Sequence, residues 1–308
     1  VDPRRFAATV SLVVASLVFA LKLGAWALTG SSAVLSDALE SIVNVAAAAF
    51  VLFAARFAAE PPDREHPYGH GKIEHISAGF EGGLVAVAAV VIVLGAAVTA
   101  WNGPELRSID LGLGVTALAG AVNLALGAWL VARGKALRAP SLVADGHHVL
   151  SDVWTTVGVL VGLGLVRLTG WVWFDPLTAA AVGLFIAWTG LRLFRQAAGA
   201  LLDQSDPELI QRLMVAFEAA RSPGIIDLHD VRTIDAGGRV HIDAHAHVPE
   251  YWTVDVAHDA SKRLEADLLA RAGLQGDLAL HLDPCGRAFC ARCDAVDCPI
   301  RAEAFAAP

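Results

Sequence analysis

The chain has 308 residues, 56% hydrophobic and 18% charged, with a formal net charge of −8 and a mean hydropathy of +0.55. That balance is too apolar and too charge-poor for an ordinary soluble protein, and a net negative charge with no basic, aromatic-interleaved stripe excludes nucleic acid as a partner. With no HExxH, no phosphate-binding GxxxxGK[ST] and no nucleophile elbow in the sequence, neither a metalloprotease nor an ATP-driven pump is supported, and no enzyme is expected.

Apolar runs of about 20 residues lie near 6–28, 33–55, 76–100, 109–132, 142–167 and 172–194, each long enough to span a bilayer core of about 30 Å. We expect six membrane helices in residues 1–202, a soluble domain in 203–284 and a cysteine-rich tail in 285–308. The first run stays as a helix and not a cleaved signal peptide, because it holds Lys22 and Trp26 and lacks a small-x-small cleavage stretch. Arg4, Arg5, Arg56, Arg64, Lys72, Arg133, Lys135, Arg138, Arg192 and Arg195 flank one set of helix ends, against Arg107 and Arg167 at the other. The positive-inside bias then puts both termini in the cytoplasm.

The second run carries Asp37-x-x-Glu40-x-x-x-Asn44. At about 100° per residue these positions fall within an arc of about 60°, one polar stripe on an otherwise apolar helix. In the following loop, Asp63-x-x-His66-x-x-x-His70 offers a carboxylate and two imidazoles, a plausible surface metal site; Pro61, Pro62, Pro67 and Gly69 make it a loop. The bland alternative is a set of ordinary solvated side chains. Glu81 in the third run and Asn123 in the fourth are read as packing hydrogen bonds. The fifth run repeats the stripe as Asp145-x-x-His148-x-x-x-Asp152.

Helices 2 and 5 run antiparallel, so Glu40 is expected level with Asp152 and Asn44 with His148, while Asp37 and Asp145 sit one turn further along. Ionisable groups at this depth cost several kcal/mol unless paired, hydrated or bound to an ion. Interhelical glue explains a single such residue but not two matched triplets. Four ligands of these types suit a divalent first-row metal such as Zn, Fe, Mn, Co or Ni.

Beyond Leu202 the order reads helix, strand, strand, helix, strand, an α+β domain. Pro207 to Arg221 is a helix capped by Asp206 and stopped by Pro223-Gly224. A first strand near Ile226 to Ile234 brings His229. In the second, Val240, Ile242, Ala244, Ala246 and Val248 alternate with His241, Asp243, His245 and His247, so one face packs on helices and the other carries imidazoles. A helix from about Val254 to Ala272 brings His258, and Leu278, Leu280 and Leu282 of the last strand alternate with Ala279, His281 and Asp283. A hydrated face and a polar dimer interface are the alternatives to metal binding here. All four cysteines fall in the tail, as Cys285-x4-Cys290-x2-Cys293-x4-Cys298. In a cytoplasmic setting thiolate ligation is the natural expectation, zinc first and an iron–sulfur cluster second, against a reactive or redox tail.

Gly30 to Ser41 (GSSAVLSDALES), His66-Pro67-Tyr68-Gly69-His70-Gly71-Lys72-Ile73-Glu74, the HxxxD of His148 to Asp152 and Phe174-Asp175-Pro176 together resemble the cation diffusion facilitator family, over about residues 6 to 284. The resemblance implies a homodimeric divalent-metal/proton antiporter of the cell inner membrane, an all-α six-helix membrane bundle with a cytoplasmic ferredoxin-like domain. It maps the transport site to Glu40, Asn44, His148 and Asp152, and a soluble-domain metal site to His229, His245, His258, His281 and Asp283. His241 and His247 are not carried over, and Lys72 and Asp203 match positions near the dimer junction. The metal, zinc first, serves as substrate and regulator; the partners are the lipid bilayer, metal ions, protons and a second copy. Where many members carry Asp or His at position 40 and Asp at 44, this chain has Glu and Asn, and the amide removes one negative charge. The rival expectations are a metal-gated channel or sensor without coupled transport, and a membrane redox protein using the tail.

Overall fold

A computed structural model describes residues 2–29, 32–102, 112–171, 173–296 and 298–304. Of the positions singled out above, Gly30, Ser31 and Arg107 lie outside the described residues, as do the side chains of Trp26, Asp37, Glu40, Arg167 and Asp175. The chain forms two compact units, Val1–Leu201 and Leu202–Pro308.

The first unit is a bundle of six helices, α1 (Pro3–Thr29), α2 (Ser32–Phe57), α3 (Ile73–Asn102), α4 (Gly112–Leu137), α5 (Pro140–Thr169) and α6 (Phe174–Leu201). Each is at least 26 residues long, about 39 Å or more at 1.5 Å per residue, enough to cross a bilayer core. Pro3 and Pro140 open α1 and α5, where a missing N–H costs nothing. Among the described residues, α1, α3 and α6 contain continuous spans long and apolar enough to cross a membrane by composition alone.

The bundle is apolar on its outer surface and buries ionisable and polar side chains among apolar ones. On α3, Val87, Val90, Val91, Leu94 and Val98 form an exposed stripe, while Glu74, Ser77, Ala78, Glu81, Val85 and Ala89 are buried on the opposite face. Such an arrangement is stable only where the surroundings are lipid. Packing on α6 is close: a methyl group built on Gly82 of α3 would lie 2.7 Å from the Phe194 amide nitrogen, and one on Gly190 of α6 would lie 2.7 Å from the Ala86 nitrogen. Gly127 of α4 and Gly146 of α5 oppose each other in the same way. Small residues at these crossings let the backbones approach, the usual source of helix affinity where no hydrophobic effect separates helix from lipid.

One end of the bundle is tied by a buried polar knot. Arg4 of α1 pairs with Glu74 of α3 at 2.9 Å and donates to the Leu137 carbonyl of α4 at 2.9 Å. Ser141 of α5 donates to the other Glu74 oxygen at 3.3 Å.

The second unit runs α7 (Pro207–Ala220), β1 (Leu228–Asp235), β2 (Val240–Val248), α8 (Val254–Ala272), β3 (Gly276–Pro284) and a short 3-10 helix (Arg287–Arg292). The sheet order is β1-β2-β3, with β1 antiparallel and β3 parallel to β2. Asp206 caps α7 by accepting from the Glu208 and Leu209 amides, and Thr253 caps α8 from the Val256 amide. Gly273, at φ 61°, closes α8 in the left-handed conformation that glycine adopts without strain. Strand β1 starts two residues later than the alternation suggests and is bulged between His229 and Arg232, where Asp230 takes φ 48°. The core lies between the two helices and one sheet face: Leu213, Phe217, Ile242, Ala244, Ala246, Leu264 and Leu268 are all buried there. The other face of the sheet is left for polar side chains.

Candidate functional site

In the bundle, Asn44 joins the two stripes. Its Nδ2 donates to Asp152 Oδ2 at 2.5 Å, and His148 Nε2 lies 3.0 Å from its Oδ1. An amide oriented this way has only its oxygen left for the imidazole, so Nε2 carries the proton. Asn44 therefore stands between His148 and Asp152, where the sequence reading pairs it with His148 alone. Asp145 is buried and accepts from Ser11 of α1 at 2.6 Å. The expected ligand Glu40 and its neighbour Asp37 belong to the undescribed side chains of α2.

The reading of Glu81 as a packing hydrogen bond is corrected. Its side chain is 0% exposed, neither carboxylate oxygen has a hydrogen-bond partner among the described residues, and Oε2 lies 3.9 Å from His148 Nδ1. It is a carboxylate held beside the imidazole on the side away from Asn44. The signal was present in the sequence: Glu74, Ser77 and Glu81 repeat the i, i+3, i+7 spacing of the other two stripes, and all three are buried. Asn123 is buried on α4. Ser11 carried no such signal, because serine is common in membrane helices.

The loop between α2 and α3 brings Asp63, His66 and His70 together, with possible ligand atoms all within 4.8 Å of one another. His66 Nδ1 is 3.2 Å from Asp63, and His70 Nε2 is 3.0 Å from His66 and 3.3 Å from Asp63. Asp63 Oδ1 accepts the Glu65 and His66 amides at 2.9 and 2.6 Å, which shapes the loop. The bond from the His66 amide is the main reason its carboxyl is held below the usual value. Phe57 packs on the His70 ring at 4.6 Å and buries it.

On the open face of the sheet, strand register aligns three imidazoles. His229 pairs with His245, and His245 with His281, in one row across β1, β2 and β3. Asp283 lies 3.3 Å from His229, 3.0 Å from His245 and 3.5 Å from His281. The bond from His245 holds the Asp283 carboxyl below its usual range. His258 is not brought to this row: it is exposed on α8, whose packed side covers the apolar face of the sheet. A second group forms where none was expected. Asp227 and His247 lie 2.8 Å apart, His229 is 3.3 Å from the same carboxylate, and these three also meet within 4.8 Å. Burial raises Asp227, but the hydrogen bonds and charge of His247 outweigh it and leave its carboxyl below the ordinary value. His247 has the same strand parity as His245, so alternation alone placed it on this face. His241 faces Asp277 at 2.7 Å instead.

In the tail, Cys285, Cys290, Cys293 and Cys298 are free thiols lining one small cavity. They are spread more widely around it than the ligand atoms of the three His/Asp groups. Burial, then the neighbouring sulfurs of Cys298, Cys293 and Cys285, raises the Tyr251 phenol above its usual value.

Comparison with known proteins accounts for both units. Residues 8–202 match the cation efflux transmembrane domain and residues 206–285 the cation efflux protein cytoplasmic domain. The chain is 40% identical over 280 residues to an uncharacterized transporter, sll1263, of Synechocystis sp., covering 90% of this chain and 89% of that protein. It is 29% identical over 282 residues to the cation-efflux pump FieF of Salmonella typhimurium, covering 91% of this chain and 92% of the pump. With both domains matched in order along almost the whole chain, on an inside-out helical bundle followed by a small α+β domain, the protein belongs to the cation diffusion facilitator family of multi-pass membrane cation-efflux transporters.

Proposed function

We propose that the protein exports a divalent first-row transition metal, zinc first, from the cytoplasm in exchange for protons, working as a homodimer in the cell inner membrane with both termini cytoplasmic. The observation that carries this reading is the hydrogen-bonded chain His148–Asn44–Asp152 with Glu81 beside it, inside a lipid-facing bundle. Glu40, Asn44, His148 and Asp152 are the proposed ligands, with Asp37 and Asp145 along the path.

The chemistry follows from competition for the same atoms. His148 Nε2 carries a proton toward Asn44, and a metal taking that position needs the proton of the neutral ring on Nδ1, the nitrogen that faces Glu81, and any second proton released. Carboxylates in a low-dielectric interior are strongly driven to take up protons when no cation is present, and a dication displaces them. Glu81, whose Oε2 lies 3.9 Å from His148 Nδ1, is placed to accept a proton that the imidazolium form of His148 gives up. Alternating access would then carry metal outward and protons inward on one set of groups.

The His229, His245, His281 and Asp283 row would bind regulatory metal and favour one arrangement of the dimer. Asp63, His66 and His70 would form a further cytoplasmic site.

The deciding experiment is zinc uptake into proteoliposomes with an internal pH dye. Zinc-driven proton movement is expected for the natural protein and its loss for Asp152→Ala, with metal bound at the sheet unchanged. Zinc flux without proton movement would favour a channel. Full exchange by Asp152→Ala would overturn the site assignment.

A further inference from the structure

Three of the four tail cysteines lie beyond residue 285, where the match to the family's cytoplasmic domain ends. They are nevertheless part of an ordered arrangement. Cys285 follows β3, with its amide donating to the Val248 carbonyl at 2.8 Å, and the 3-10 helix then carries Cys290 to the same cavity. Arg301 folds the chain back by donating to the carbonyls of Cys290, Cys293 and Ala295 at 3.1, 3.2 and 2.7 Å. The Ala302 amide donates to Cys290 Sγ at 3.4 Å, the kind of backbone contact that supports a thiolate. Cys290 and Cys293 are buried, and Cys285 and Cys298 half-buried.

We propose that Cys285, Cys290, Cys293 and Cys298 bind one zinc ion that clips the tail onto the soluble domain, a site separate from the transport path and from the His/Asp row. Four thiolates are a closed structural zinc set, with no position left for substrate. The space between them is small, about 10 Å³, about one water-sized sphere, which suits a single ion. Charge agrees as well: four thiolates and a dication leave two negative charges, and two guanidinium groups, Arg287 and Arg301, line the same cavity. Zn–S bonds of about 2.3 Å require the sulfurs to draw inward from their wider spacing, which the half-buried Cys285 and Cys298 have the freedom to do.

The clip would also reach the second histidine group. Phe289 of the 3-10 helix stacks on His247 at 4.1 Å, Arg292 lies 3.7 Å from Asp227, and Asp294 accepts from the Gly224 amide and from Arg221. Folding of the tail therefore covers the Asp227–His247 end of the sheet.

The test uses the full-length protein in detergent under reducing conditions. Replacing all four cysteines by serine should lower zinc content by one ion per chain, while Asp152→Ala leaves that ion in place. The cobalt-loaded natural protein should show sulfur-to-cobalt charge-transfer absorption, and Cys290→Ser alone should weaken it. Alkylation of the four thiols should be slow with zinc and fast after chelation; this needs no variant, so it decides the matter even if serine substitution unfolds the tail. Equal alkylation rates with and without chelator, unchanged zinc content in the quadruple variant, or iron–sulfur absorption in the protein as isolated would each overturn the assignment. None of these outcomes depends on transport, so the export reading stands or falls separately.

Discussion

At position 44 an amide replaces the carboxylate that many relatives are expected to carry, and its role is visible in the bonds it makes: a donor to Asp152 and an acceptor from His148. A carboxylate at 44 could accept from His148 but would repel Asp152, so Asn44→Asp should break the chain and add a charge. The expected outcome is a shifted metal preference, or an optimum moved in pH, in a flux assay across a metal panel. Glu81→Gln keeps the shape and removes the carboxylate beside His148; a fall of about tenfold or more in metal-driven proton movement is expected, with zinc binding largely kept. Unaltered coupling in that variant would remove Glu81 from the mechanism. The i, i+3, i+7 spacing made the meeting of Asn44, His148 and Asp152 readable, because side chains at that spacing share a helix face. Glu81 escaped because one acid in an apolar run looks like glue until its buried stripe is seen whole. Asp227 was missed although it falls inside the expected first strand at the parity of His229; the observed β1 begins at Leu228, and the bond from the Ile226 amide to the His247 carbonyl brings Asp227 to the sheet face.

Among the elements, β2 was the most legible, since its strict alternation leaves one register that buries the apolar side. The resemblance, not the alternation, set His247 aside. Less legible was helix packing, because periodicity names a face without naming its neighbour. The glycine contact between α3 and α6 shows what was missing. A side chain at Gly82 would meet the α6 backbone and not a yielding side-chain tip, so Gly82→Leu should force the helices apart at a cost of about 1–3 kcal/mol. The melting temperature of the detergent-solubilised protein should drop accordingly, whereas Gly83→Leu, with open space around it, should be nearly silent. In the sheet, the carboxyls of Asp227 and Asp283 are depressed by their histidine partners. A depressed folded value stabilises the folded state above the ordinary 3.8 and loses that contribution as pH falls through the lower value. Asp227→Asn should therefore lower the urea midpoint of the soluble unit near pH 6, and the gap should close on acidification below about pH 4. A gap that persists at pH 3 would mean the loss is one of shape and not of charge.

For the whole molecule, the division into an inside-out helical unit and an ordinary α+β unit was evident from composition, because lipid and water reward opposite surfaces. What composition could not show was where the helical unit resists motion. Arg4, Glu74, the Leu137 carbonyl and Ser141 bind α1, α3, α4 and α5 at a single end. A transporter that opens there must first separate a buried pair, while one that opens at the other end need not. The knot thus acts as a thumb on the balance between two shapes: every 1.4 kcal/mol or so it contributes skews their populations about tenfold. Access to the metal path would then be governed as much by a guanidinium remote from any ligand as by the ligands themselves.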